Sequence, residues 1–93
     1  MTDIRKMTAL ERANLYELAY RALFDKGIWA ELGERTGRSI DNLCDVDDVM
    51  HAAYNAMGKV ERQQFEKYAR MATLNRGRFD WHSYRLALEA YVR

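Results

Sequence analysis

With 93 residues, 48% of them hydrophobic and 31% charged, and a formal net charge of +1, the chain is about one domain's worth of material. It is too short for a multi-domain enzyme and too rich in core residues to stay disordered. No proline, five glycines and a single cysteine, Cys44, argue against a turn-dense β-sandwich and exclude an intramolecular disulfide framework.

The start of the chain, Met1 to Lys6, carries Asp3 and no apolar segment after its basic pair, and Thr2 stands where myristoylation needs glycine. No targeting signal is visible and no apolar run approaches the ~18 residues of a membrane span, so a cytoplasmic protein away from membranes is expected. Charge is unevenly spread. Residues 1–58 hold seven Lys/Arg against ten Asp/Glu, net −3, and residues 59–93 hold eight against four, net +4. Such a dipole can steer a charged partner or set two copies head to tail.

The first helix is expected from Ala9 to about Lys26. Thr8 with Glu11 three residues on forms a capping box, each side chain accepting from a backbone N–H that the helix leaves orphaned. At 100° per residue, Ala9, Ala13, Tyr16, Tyr20, Leu23 and Phe24 gather in one arc, the expected core face. Leu15, Leu18 and Ala22 form a second apolar stripe nearly opposite, with Arg21 on one edge and Arg12 on the other. A helix apolar on two sides is either sandwiched in its own domain or packs its second side on another chain. The expectation carried forward is that Leu15, Leu18, Ala22, Arg12 and Arg21 form a partner-binding face.

A short helix over Ile28–Arg35, weakened by Gly33, comes next. A polar link then leads to Asp45, which can cap a third helix ending at Met57, with Val46, Val49, Met50, Ala53 and Met57 as its core stripe. The fourth helix is expected from about Lys59 to Leu74. Asp80 can cap a fifth, with Phe79 and Tyr84 as a hydrophobic staple. Gly27, Gly37, Gly58 and Gly77 divide the chain into segments of helical length, with left-handed C-caps expected at several of them and testable by substitution at Gly27, Gly58 and Gly77. The fold expectation is therefore all-α: one compact domain, 1–93, of four or five short helices and no sheet.

Leu32-Gly33-Glu34-Arg35-Thr36-Gly37-Arg38-Ser39, followed by Leu43 and Val46, resembles a DNA-binding helix-turn-helix in spacing. Arg38 and Ile40 do not suit the turn, however, and Asp41, Asp45, Asp47 and Asp48 would face the phosphates with no cation between Ser39 and Met50. A better nucleic-acid candidate is the basic C-terminal part. Lys59, Arg62, Lys67 and Arg70 share an outward helical face, and Arg76 and Arg78 follow, near Phe79, Trp81, Tyr84 and Arg85. Against it, Glu66 can pair with Arg62 and Arg70, the aromatics suit a core, and a pI near 7.9 is below the >9 usual for such domains.

Cys44, Asp48 and His51 have metal-ligand types at helical spacing, with His82 as a distant fourth, but an N-cap at Asp45 leaves Cys44 outside the helix. Ser39, Ser83, His51 and His82 form no recognised catalytic motif, and His82 and Ser83 point about 100° apart on a helix. No cofactor, metal or catalytic set is expected. What remains is a small interaction module, not an enzyme, that binds and occludes a larger protein as adaptor, antagonist or inhibitor, or pairs as a homodimer. Phage and mobile-element factors such as anti-CRISPR inhibitors share this size and simplicity. The alternative is a nucleic-acid-associated regulator using the basic C-terminal half.

Overall fold

The computed structural model describes residues 3–76 and Leu86. A 3-10 turn, Ile4–Lys6, precedes α1, Ala9–Ala22; a second 3-10 turn, Lys26–Ile28, runs into α2, Trp29–Thr36; α3, Leu43–Ala56, and α4, Lys59–Arg76, follow. No strand occurs among the described residues, so the fold is all-α as expected. The fifth helix expected from Asp80, its Phe79 and Tyr84 staple, and Gly77 lie outside the described residues.

The capping box that starts α1 is formed: Glu11 N–H donates to Thr8 Oγ1 at 3.2 Å, and Thr8 N–H donates to Glu11 Oε1 at 3.3 Å. The helix ends at Ala22, earlier than Lys26. Two local events stop it. The Trp29 indole Nε1–H donates to the Ala22 carbonyl at 2.9 Å, and the Asp25 carboxylate accepts from Gly27 N–H at 2.9 Å, turning the chain into the second 3-10 turn. An Asp side chain that satisfies the backbone two residues on offers the chain an alternative to the next helical turn.

The third helix starts earlier than expected. Asn42, not Asp45, is its N-cap: Asp45 N–H donates to Asn42 Oδ1 at 3.0 Å while Asp45 Oδ2 accepts from Asn42 N–H at 3.2 Å. Asp45 thus serves as the acidic partner of a capping box, which the pattern Asn-x-x-Asp allows as readily as Ser-x-x-Glu.

Gly27 and Gly58 are not left-handed caps. Among the described residues the glycine with positive φ is Gly37, at φ 68° and ψ 22°, where it closes α2 with its N–H on the Gly33 carbonyl. α1 is ended by the Asp25 turn, and α3 by an extended Met57 at φ −69° and ψ 141°, so neither needs a glycine. Gly37→Ala should therefore lower stability by about 1 kcal/mol or more, because a Cβ strains that backbone. Gly58→Ala, whose added Cβ meets nothing within 4 Å, should not. Denaturant melts of the two variants check this, and a stabilised Gly37→Ala would show that the left-handed turn is absent in solution.

Two clusters make the core. The larger joins Ile4, Leu15, Leu18, Ala19, Ala22, Leu32, Val46, Val49 and Ala53. The smaller joins Ala13, Met57 and Phe65, with Leu10, Tyr16 and Tyr54 packed against it. Phe65 meets Tyr16 edge-on at 4.8 Å and Tyr54 at 6.0 Å between ring centroids, the geometry that ring quadrupoles favour. The α3 stripe is as expected, with Val46, Val49, Ala53 and Met57 buried and Met50 half-buried.

The stripe assigned to a partner is instead the centre of the larger cluster. Leu15 is 2% exposed, Leu18 6% and Ala22 1%. α2 and α3 cover it from within the chain, so α1 is sandwiched and Leu15, Leu18 and Ala22 are not a docking face. The arc taken as core-facing divides. Ala13 is buried and Tyr16 half-buried in the smaller cluster, while Phe24, beyond the helix end, is 77% exposed.

Candidate interaction surface

Of the charged residues flanking the α1 stripe, Arg12 is built into the fold. Its Nε and Nη2 donate to Glu61 Oε1 and Oε2 at 2.8 and 2.7 Å, a bidentate pair joining α1 to α4, with side chains only 11% and 14% exposed. Its Nη1 donates to the Met7 carbonyl and lies 3.5 Å from the carbonyls of Ile4 and Arg5. The Glu61 hydrogen bonds hold the Arg12 guanidinium in its charged form, raising its pKa from the ordinary value against the opposing effect of burial. A guanidinium so engaged, on a side chain only 11% exposed, is committed to the fold, and Arg12 leaves the candidate surface. Arg21 stays on it: exposed, it borders a cleft of about 190 Å³ between α1 and α2 together with Glu17, Glu31 and Arg35.

The basic face expected on α4 is thinner than its sequence suggests. Arg62 Nε donates to the Met57 carbonyl at 3.0 Å and Nη2 to that of Asn55 at 3.4 Å, while its guanidinium lies 5.5 Å from the Tyr54 ring centroid. It satisfies carbonyls that the end of α3 would leave bare. Arg70 Nη2 lies 3.9 Å from Glu66 Oε2. Glu66 also accepts the Tyr54 hydroxyl, a bond that raises the phenol pKa by favouring its protonated form. Lys59 and Lys67 are exposed. Arg76 is the last residue of α4, and Arg78, Trp81, His82, Ser83 and Arg85 lie outside the described residues.

The helix-turn-helix spacing resolves into α2, a link over residues 37–42 and α3. Leu43, which the pattern would bury, is 55% exposed, and α3 presents Asp47 and Asp48 to solvent. Because α3 begins at Leu43, Cys44 does lie in its first turn, one face with Asp48 and His51. Even so, no three His, Cys, Asp or Glu side chains among the described residues are close enough to hold a metal ion. His51 Nε2 sits 3.3 Å from Asp47, and Ser39 Oγ donates to Asp41 at 3.0 Å. No described helix is long and apolar enough to cross a membrane.

What the sequence reading missed is the display of Phe24. Its ring stands edge-on to Tyr20, 5.5 Å between centroids, beside the Lys26 ammonium 5.3 Å from the Trp29 ring centroid. Ala13 meets Met57 where α1 begins and α3 ends; Phe24 and the exposed Leu43 belong to the opposite ends of that helix pair. The signal was Asp25-Lys26-Gly27, an Asx-turn sequence that ends the helix and takes Phe24 out of phase with Tyr16 and Tyr20. No protein-family model matches the chain, and neither a curated protein nor a solved structure matches it, so a functional reading rests on this surface alone.

Proposed function

We propose that the protein is an interaction module that binds a larger protein through the Phe24 end of α1 and acts by occluding the surface it covers. The observation that carries this reading is Phe24 itself. A phenylalanine left 77% exposed buries little of its ring in its own fold, whereas seating that ring in a partner's pocket contributes about 1.5–3 kcal/mol. Aromatic side chains with few rotamers to freeze are the usual anchors of such contacts. Tyr20 edge-on and Trp29 anchored through its indole N–H hold the neighbourhood in place. An inhibitor of host machinery carried by a phage or mobile element is one setting for such a module, and a second copy of the chain is one form the partner takes.

Phe24→Ser should abolish capture of a specific protein, identified from the native host and then reconstituted from purified components, without lowering the melting temperature. Retention of that complex by Phe24→Ser would overturn the assignment. The nucleic-acid alternative draws its support from exposed Lys59 and Lys67 and from Arg70. It requires heparin or oligonucleotide binding that weakens steeply with salt and is lost in Lys59→Glu/Lys67→Glu but kept in Phe24→Ser.

A further inference from the structure

A second concavity, separate from the Phe24 end, lies where the N-terminal 3-10 turn meets α3 and the link after α2. It encloses about 550 Å³, within the range of pockets that bury a small ligand or a few side chains. Its apolar lining comes from Ile4 on one side and from Ala52 and Ala56, one turn apart on α3, on the other. Two alanines at that spacing let another chain approach α3 closely. Arg5, Asp3 and Asn55 line it as well, and so does Arg38 from the link.

Both arginines stand on anchored backbone. Arg38 follows the left-handed Gly37, and its carbonyl packs so tightly on Gly33 that a Cβ there would come within 2.9 Å of it. That close approach explains a glycine inside α2, which costs helix stability otherwise. Arg5 N–H and Nε both bind Asp3 Oδ1, at 3.0 and 3.3 Å, and the Arg12 guanidinium gathers the carbonyls of this turn. Arg5 is therefore neutralised by Asp3. Arg38 is exposed, and no carboxylate pairs with it among the described residues.

We propose that this groove docks an acidic peptide segment of a protein partner, with an apolar side chain on Ile4, Ala52 and Ala56 and a carboxylate on Arg38. One unpaired guanidinium beside an apolar floor suits a single carboxylate flanked by an aliphatic side chain. A polyphosphate backbone is disfavoured, since it needs several cations and Arg38 is the one cation among the described lining residues that is not paired with a carboxylate. The proposal is independent of the Phe24 surface.

The test is a titration of the isotope-labelled full chain with a short peptide of glutamate and leucine, and with its lysine-for-glutamate counterpart, read by amide chemical shifts. The acidic peptide should move the resonances of Ile4, Arg5, Arg38, Ala52 and Ala56, and the lysine peptide should not. Arg38→Glu should weaken the acidic peptide on the order of tenfold, the size of one lost charge-assisted hydrogen bond. Arg38→Lys should retain part of the binding, and Phe24→Ser all of it. The proposal fails if the acidic peptide leaves these resonances unmoved, if the lysine peptide binds equally, or if Arg38→Glu changes nothing. It fails also if a single-stranded oligonucleotide moves the same resonances more strongly than the peptide.

Discussion

Replacing Leu15 and Leu18 together by glutamate should unfold the protein. Both side chains sit in the larger cluster at 2% and 6% exposure, between α2 and α3. Their removal from water contributes about 3–6 kcal/mol, and two carboxylates forced into that apolar site would each cost several kcal/mol more or open the helix packing. Small domains have a total stability of only about 5–15 kcal/mol. The expected circular dichroism spectrum has lost most of its helical signal, with no cooperative melt. Leu15→Ala alone should cost about 2–5 kcal/mol, the usual range for a leucine deleted from a core that cannot fully collapse. A double variant that stayed helical, melted cooperatively and lost only self-association would mean that the stripe faces another chain after all.

The second large effect is expected at Arg12. Arg12→Ala would leave Glu61, 14% exposed, without its partner, and would release the carbonyls at the start of the chain. Breaking a largely buried pair by removing one member typically costs about 3–5 kcal/mol, far beyond the roughly 0–1 kcal/mol of an exposed pair. For a chain of this length that loss lowers the melting temperature by about 12 °C or more. Arg12→Lys should recover little, because an ammonium cannot reproduce the two parallel bonds to Glu61. Arg12→Met combined with Glu61→Leu should recover more than either single change, since no charge is then left buried. A loss within about 1 kcal/mol for Arg12→Ala would show that the pair is solvated and that Arg12 is free to meet a partner.

The sequence by itself determined the helical class, the capping box at Thr8 and Glu11, and the α3 stripe of Val46, Val49, Ala53 and Met57. Each follows from contacts within one or two turns: a cap needs residues three apart, and a single apolar stripe has only one way to face. The smaller surprises were local as well. The Asp25 turn and the Asn42 cap were written in short polar patterns, but several Asp and Asn residues competed for those roles, and the carbonyl of Ala22 was claimed by Trp29 from seven residues away.

The tertiary structure alone decided what covers the second side of α1. Periodicity shows that Leu15, Leu18 and Ala22 share a face, yet the same stripe serves a core or an interface equally well. The choice depends on whether α2, α3 and Ile4 return to cover it, a matter of packing between residues far apart in the chain. The same holds for charge. Arg12, Arg62 and Arg38 look alike in sequence, and only three-dimensional distance shows that Arg12 meets Glu61 across 49 positions, that Arg62 closes the end of α3, and that Arg38 keeps its donors for solvent. A guanidinium is a structural clamp where carboxylates or bare carbonyls converge on it and a recognition group where they do not, so its role is set by its neighbours in space.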